Sequence, residues 1–137
     1  MKHYIDLIGR FFLASIFILE AVDTLTHMDE TKALLSELAI TWNQDFFLHA
    51  GIVALITGAI LIIIGYRTGF ATILVCLYWL PATFIVYDFW EFPLEERRMV
   101  RLIFTKNIAI IGGLFILWIN GSQRFSVRKI LATTKVR

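Results

Sequence analysis

Residues 46–64 read FFLHAGIVALITGAILIII, a run in which His49 is the single titratable side chain. A stretch that long and that apolar matches a helix crossing the roughly 30 Å hydrocarbon layer of a bilayer. Gly51, Gly58 and Gly65 recur in it every seventh residue, a spacing that drifts only about 20° per repeat around a helix and so forms one seam, shared by Ala54. Small side chains along a seam let a neighbouring helix come close, and in lipid close van der Waals contact is what draws helices together. Each interior glycine costs about 1 kcal/mol relative to alanine, so the seam reads as a packing surface.

Composition agrees with a membrane solvent. Of 137 residues, 58% are hydrophobic and 18% charged, well away from the balance of a soluble domain. The formal net charge of +2 is too small to argue for nucleic acid, and no Arg or Lys stripe is interleaved with aromatics. The lipid bilayer is the expected partner instead, and nucleic acid is excluded. Cys76 is the single cysteine, so no internal disulfide, dithiol chemistry or cysteine zinc site is expected. Lys2 ahead of apolar sequence resembles a signal peptide at first sight. Asp6, Arg10 and Glu20 interrupt its apolar region and no small-x-small site follows, so it is read as part of the mature chain.

Taken in order, the chain reads as one all-α domain over 1–137: an antiparallel four-helix membrane bundle with short interfacial helices in its two outer loops. The spans are expected at about 5–22, 46–64, 70–87 and 103–119, followed by a basic tail over 121–137. In the first, Arg10 is expected to snorkel to the near surface. Between the first two, Thr31 to Ala39 reads as a surface helix with Leu34, Leu35 and Leu38 on one side. Tyr66 to Gly69 is too short for anything but an antiparallel turn. Pro81 is expected to kink the third span, and Pro93 followed by Glu95 and Glu96 reads as the start of a second surface helix. Tyr78, Trp79, Phe84 and Trp90 are read as lipid-facing or interfacial aromatics. Four spans put both termini on one side with eight Lys/Arg against five opposite, so the positive-inside rule assigns them to the cytoplasm.

This threading brings the ends of spans 1 and 3 and the starts of spans 2 and 4 to one membrane depth. Glu20, Asp23, His49, Asp88, Trp90, Lys106 and Asn107 are therefore expected to converge as a polar cluster at the outer end. Ionisable groups inside spans are costly and usually paired, so Lys106 is expected to pair with Glu20, Asp23 or Asp88. The same groups serve equally well as a lock on helix register. Gly112 and Gly113 are read with Gly51, Gly58 and Gly65 as helix-packing positions. No Ser/His/Asp set, phosphate-binding loop or metal-ligand spacing is present.

Span 4 reads Lys106-Asn107-Ile108-Ala109-Ile110-Ile111-Gly112-Gly113-Leu114, with Gly121-Ser122 beyond it. With Gly9-Arg10, the turn from Gly65 to Thr68 and the Phe89-Trp90 pair, it resembles the DoxX family of small four-helix bacterial membrane proteins. Where many members carry a Gly and a Lys in span 1, this chain has Glu20 and Asp23. The resemblance implies a bacterial inner-membrane location, a quinone as the possible cofactor and a role as accessory subunit of a quinone-linked redox complex rather than a self-sufficient enzyme. The implied partners are other membrane subunits or further copies of the chain, and the alternative is a purely structural or assembly subunit.

Overall fold

A computed structural model describes residues 2–121, with side chains from Tyr4 onward. Most of the basic tail expected over 121–137 lies outside the described residues. Five helices follow one another: α1 (Lys2–Thr26), α2 (Met28–Glu37), α3 (Gln44–Ile64), α4 (Thr68–Val86) and α5 (Leu94–Asn120). α3, α4 and α5 are long and apolar enough to cross a membrane. α1 is as long, but Asp6, Arg10, Glu20 and Asp23 set its composition apart. The most extensive packing is of α1 on α3, followed by α3 on α4 and α4 on α5, whereas α1 and α5 touch at few points.

The packing follows from where the apolar residues fall. On α1 the buried positions are Arg10, Ala14, Phe17, Ala21 and Thr24, the alternating four-three spacing of one helix face. They meet Ile52, Leu55, Ala59 and Ile62 of α3, Ala71, Val75 and Trp79 of α4, and Ile111, Leu114 and Leu117 of α5. The remaining large apolar side chains, such as Phe12, Leu19, Val53, Leu77 and Ile119, are exposed. On a membrane protein that outer surface faces lipid tails rather than water.

The seam of α3 packs on α4. A Cβ at Gly58 would overlap Val75 Cγ2 and stand 3.3 Å from the Ala71 carbonyl oxygen, and one at Gly51 would overlap the Tyr78 ring. Gly65 serves differently: at φ 70° it ends α3, with its N–H on the Ile62 carbonyl and the Tyr66 N–H on the Leu61 carbonyl, a left-handed cap that glycine supplies without strain. The pair on α5 divides. Gly113 would bring a Cβ within 3.2 Å of Leu13 on α1, whereas nothing lies within 4 Å of one at Gly112, so Gly112 is not a packing position.

Three expectations are corrected. The second surface helix is not separate: Pro93 is the N-cap of α5, which runs unbroken from Leu94 through the apolar span, because neither Pro nor Gly stands at the junction between Leu94 and Ile111. Trp79 is a core residue, 5% exposed, with its ring edge-on to Phe17 at a centroid distance of 5.0 Å. Arg10 does not snorkel. It is 2% exposed and donates through Nη1 to the carbonyls of Ile62 and Ile63, each at 3.3 Å. Its Nη2 lies 3.0 Å from Asp6 Oδ2, close enough for an ion pair though not aligned as a directed hydrogen bond. The last carbonyls of a helix lack intrahelical donors, and Arg10 supplies them from the neighbouring helix.

Candidate functional site

Asn107 and Glu20 face one another across the bundle near the α2 end. Asn107 is buried on α5 and Glu20 half-buried on α1. Both line a cavity of about 110 Å³ walled by Tyr78, Trp79 and Thr83 of α4 and by Tyr87 just beyond it. Local sequence explains the inward set. Asn107, Ile111 and Leu114 stand four and three apart on the buried face of α5, and Glu20 adjoins the core residue Ala21. On α4, Trp79 and Thr83 are four apart on one face, and Thr83 donates its hydroxyl to the Trp79 carbonyl at 2.7 Å.

The chemistry of the cavity is uneven. It offers one carboxyl, two phenols, a hydroxyl and an amide, together with the Trp79 indole N–H, which is buried without an acceptor. A buried donor left unpaired costs about 1–3 kcal/mol, so an acceptor entering the cavity has a group ready for it. Glu20 acts electrostatically on both phenols, and Tyr78 engages the side chain of Thr24.

Tyr78 and Ala82 also wall a second, larger cavity of about 330 Å³ on the other side of α4. Leu34 and Leu35 of α2, Phe47 of α3 and Leu77 and Ile85 of α4 line it, and its surface is almost wholly apolar.

Of the seven residues expected to converge, Glu20 and Asn107 meet. Asp23 stands near them, close enough to act electrostatically on Glu20 and Tyr87, but is exposed and sits 3.2 Å from His27, just past the end of α1. The other four lie elsewhere. His49 is exposed and donates through Nδ1 to the Asp45 carbonyl at 2.7 Å. Asp88 is half-buried in the connection between α4 and α5, where its carbonyl accepts the Glu91 N–H. Trp90 joins Phe84, Phe89 and Phe104 in an edge-on aromatic cluster, braced by Arg97, which donates to the Trp90 and Phe92 carbonyls.

Lys106 is exposed and, among the described residues, in no ion pair; the pairs there are Arg10–Asp6, His27–Asp23 and Lys32–Asp45. One residue along a helix is about 100° of rotation, so turning Asn107 inward turns Lys106 out, where its long stem reaches the surface. Lys106→Ala is accordingly expected to change the unfolding free energy by no more than about 0.5 kcal/mol, and equally so in a Glu20→Ala background. Thermal unfolding of the four variants of the cycle checks this, and a coupling above about 1 kcal/mol would restore the ion pair. Lys32 is a lysine that does find a carboxylate: Asp45, 2.6 Å away, holds its ammonium above the usual value through their hydrogen bond.

The sequence reading missed Tyr78, Trp79, Thr83 and Tyr87 as site residues. The signal was the run of polar positions Thr68, Thr72 and Thr83 on the same face as Val75 and Trp79, which marks an α4 face turned to protein rather than to lipid.

The DoxX family model matches residues 5–88, and that of the SURF4 family matches residues 47–130. Among curated proteins, the ER-derived vesicles protein ERV29 of Saccharomyces cerevisiae is 30% identical over 90 residues, covering 66% of this chain and 28% of the relative. The Surfeit locus protein 4 homolog of Schizosaccharomyces pombe is 32% identical over 74 residues, covering 53% of this chain and 24% of the relative. The chain thus spans about a quarter of the length of these curated relatives. No solved structure matches. With its helices, its apolar spans and a match across residues 5–88, this integral membrane protein belongs to the DoxX family.

Proposed function

We propose that the chain is a non-catalytic membrane subunit that holds the head of a membrane-soluble quinone between Glu20, Tyr78, Trp79, Tyr87 and Asn107, as an accessory to a redox partner in the same membrane. The observation that carries this reading is the unpaired indole N–H of Trp79 in a cavity also lined by phenol, hydroxyl and amide donors. A quinone head is a flat ring with two carbonyl acceptors, which complements such a donor set. The apolar cavity sharing the Tyr78 wall has the chemistry to take the first part of a prenyl tail. In this reading α1 is the fourth span, antiparallel to α3, and the larger number of Lys and Arg on the side of the termini supports a cytoplasmic location for both. The DoxX resemblance supports a bacterial inner membrane, with other membrane subunits or further copies of the chain as partners.

The test is quinone retention. Protein purified from quinone-containing membranes is expected to carry extractable quinone, which Trp79→Phe and Asn107→Leu lower at least several-fold and Lys106→Ala leaves unchanged. Trp79→Phe keeps an aromatic ring against Phe17 but also removes core volume, so its unfolding midpoint is read alongside, and quinone loss in a variant that still unfolds cooperatively is the supporting result. Parent protein that carries no quinone, and whose unfolding midpoint does not move when a short-chain quinone is added, would overturn the proposal. A second reading rests on the yeast relative named for ER-derived vesicles: a structural component of a vesicle membrane that uses the same residues to lock helix register. Quinone-free protein, recovered in a vesicle fraction and destabilised by Asn107→Leu, favours that reading.

A further inference from the structure

At the end of the bundle away from Glu20, a cavity of about 350 Å³ opens between α1 and α5. It is lined by Asp6, Gly9 and Arg10 on one side and by Gly113, Leu117 and Asn120 on the other. It exists because these two helices barely pack: nothing lies within 4 Å of where a Cβ of Gly9 would stand. The depth is that of the membrane surface, since α3 ends at Ile64 and α5 at Asn120 beside it. The walls turn apolar toward the bundle centre, through Leu13, Ile116 and Leu117.

Arg10 is the unusual group in this wall. Its Nη1 is committed to the Ile62 and Ile63 carbonyls, its Nη2 stands beside Asp6 as an ion pair without a directed hydrogen bond, and Nε–H is buried with no acceptor. A charged donor kept from water and left unpaired is expensive. Something that accepts a hydrogen bond therefore belongs beside it. A plain anion fits poorly, because Asp6 lines the same cavity and the C-terminal end of α5 adds partial negative charge there. A head carrying both signs fits both halves.

We propose that this groove binds one zwitterionic aminophospholipid, its phosphate set against the Arg10 guanidinium, its primary ammonium set against Asp6 and the C-terminal end of α5, and an acyl chain lying in the gap beside Gly9. The site is separate from the quinone cavity and does not depend on it.

The full chain, purified and exchanged into lipid-free detergent, is titrated with phosphatidylethanolamine, phosphatidylcholine or phosphatidylglycerol while its thermal unfolding is followed. Ligand that binds only the folded state raises the midpoint. Phosphatidylethanolamine is expected to raise it by several degrees, phosphatidylcholine by less than half as much because its quaternary amine has no N–H to donate, and phosphatidylglycerol by less still. Gly9→Leu projects a side chain into the groove from a position whose Cβ meets no neighbour, so it is expected to hold or slightly raise the lipid-free midpoint through helix propensity and to abolish the phosphatidylethanolamine response. Equal shifts with all three lipids would mean nonspecific solvation and overturn the proposal, as would a largest shift with phosphatidylglycerol. So would a shift reproduced by inorganic phosphate alone, or Gly9→Leu responding like the parent. A Gly9→Leu protein already destabilised without lipid would show that the chain itself fills the groove, and that too would overturn it.

Discussion

Arg10→Ala is expected to lower the unfolding free energy by about 3–5 kcal/mol, the range for removing one partner of a buried ion pair. Three losses combine. The carbonyls of Ile62 and Ile63 lose their shared donor, Asp6 loses its cation, and a fully buried side chain leaves a void between α1 and α3. Arg10→Lys keeps the charge but lacks the fork that reaches two carbonyls and a carboxylate together, and should fall between parent and alanine. Equilibrium unfolding in detergent reads both. A loss below about 1 kcal/mol for the alanine variant would mean that the bundle does not depend on this bridge.

Gly58→Val is the second large effect, at about 3 kcal/mol, the upper end for overpacking. The first added carbon already overlaps Val75 Cγ2 and crowds the Ala71 carbonyl. The Val75 side chain can rotate away but the helix backbone at Ala71 cannot, so α3 and α4 must move apart at this crossing. Gly112→Ala makes the contrast on α5: with open space around it, it should be neutral or stabilising by up to about 1 kcal/mol through helix propensity alone. Similar losses for the two variants would remove the distinction between a packed and an open glycine.

How much of this was legible in the sequence depends on what kind of information each feature needs. Span positions need only hydropathy, and residues 46–64 and 70–87 are close to α3 and α4. The surface helix after α1 came from its leucine spacing, and starts three residues earlier than read, at Met28. Rotation about each helix axis was not legible. In a soluble protein polar residues mark the outer face, whereas here lipid and core are both apolar, so nothing in Lys106-Asn107 says which of the two turns inward. The same ambiguity put Trp79 in the lipid. Arg10 was misread for a different reason: a charge near the start of a span was taken as a surface marker, although its spacing to Ala14, Phe17 and Ala21 already placed it on the buried face.

The continuity of α5 has a mechanical consequence. Its 27 residues extend roughly 40 Å at 1.5 Å per residue, longer than the roughly 30 Å hydrocarbon layer, so its first turns stand clear of the membrane as one stiff rod with the turns that hold Asn107. Arg97 clamps that rod to the preceding connection, and no hinge separates the clamp from the cavity. Arg98 and Arg101 thus share one unbroken helix with Asn107, and a torque on the outer turns is carried along it toward the amide.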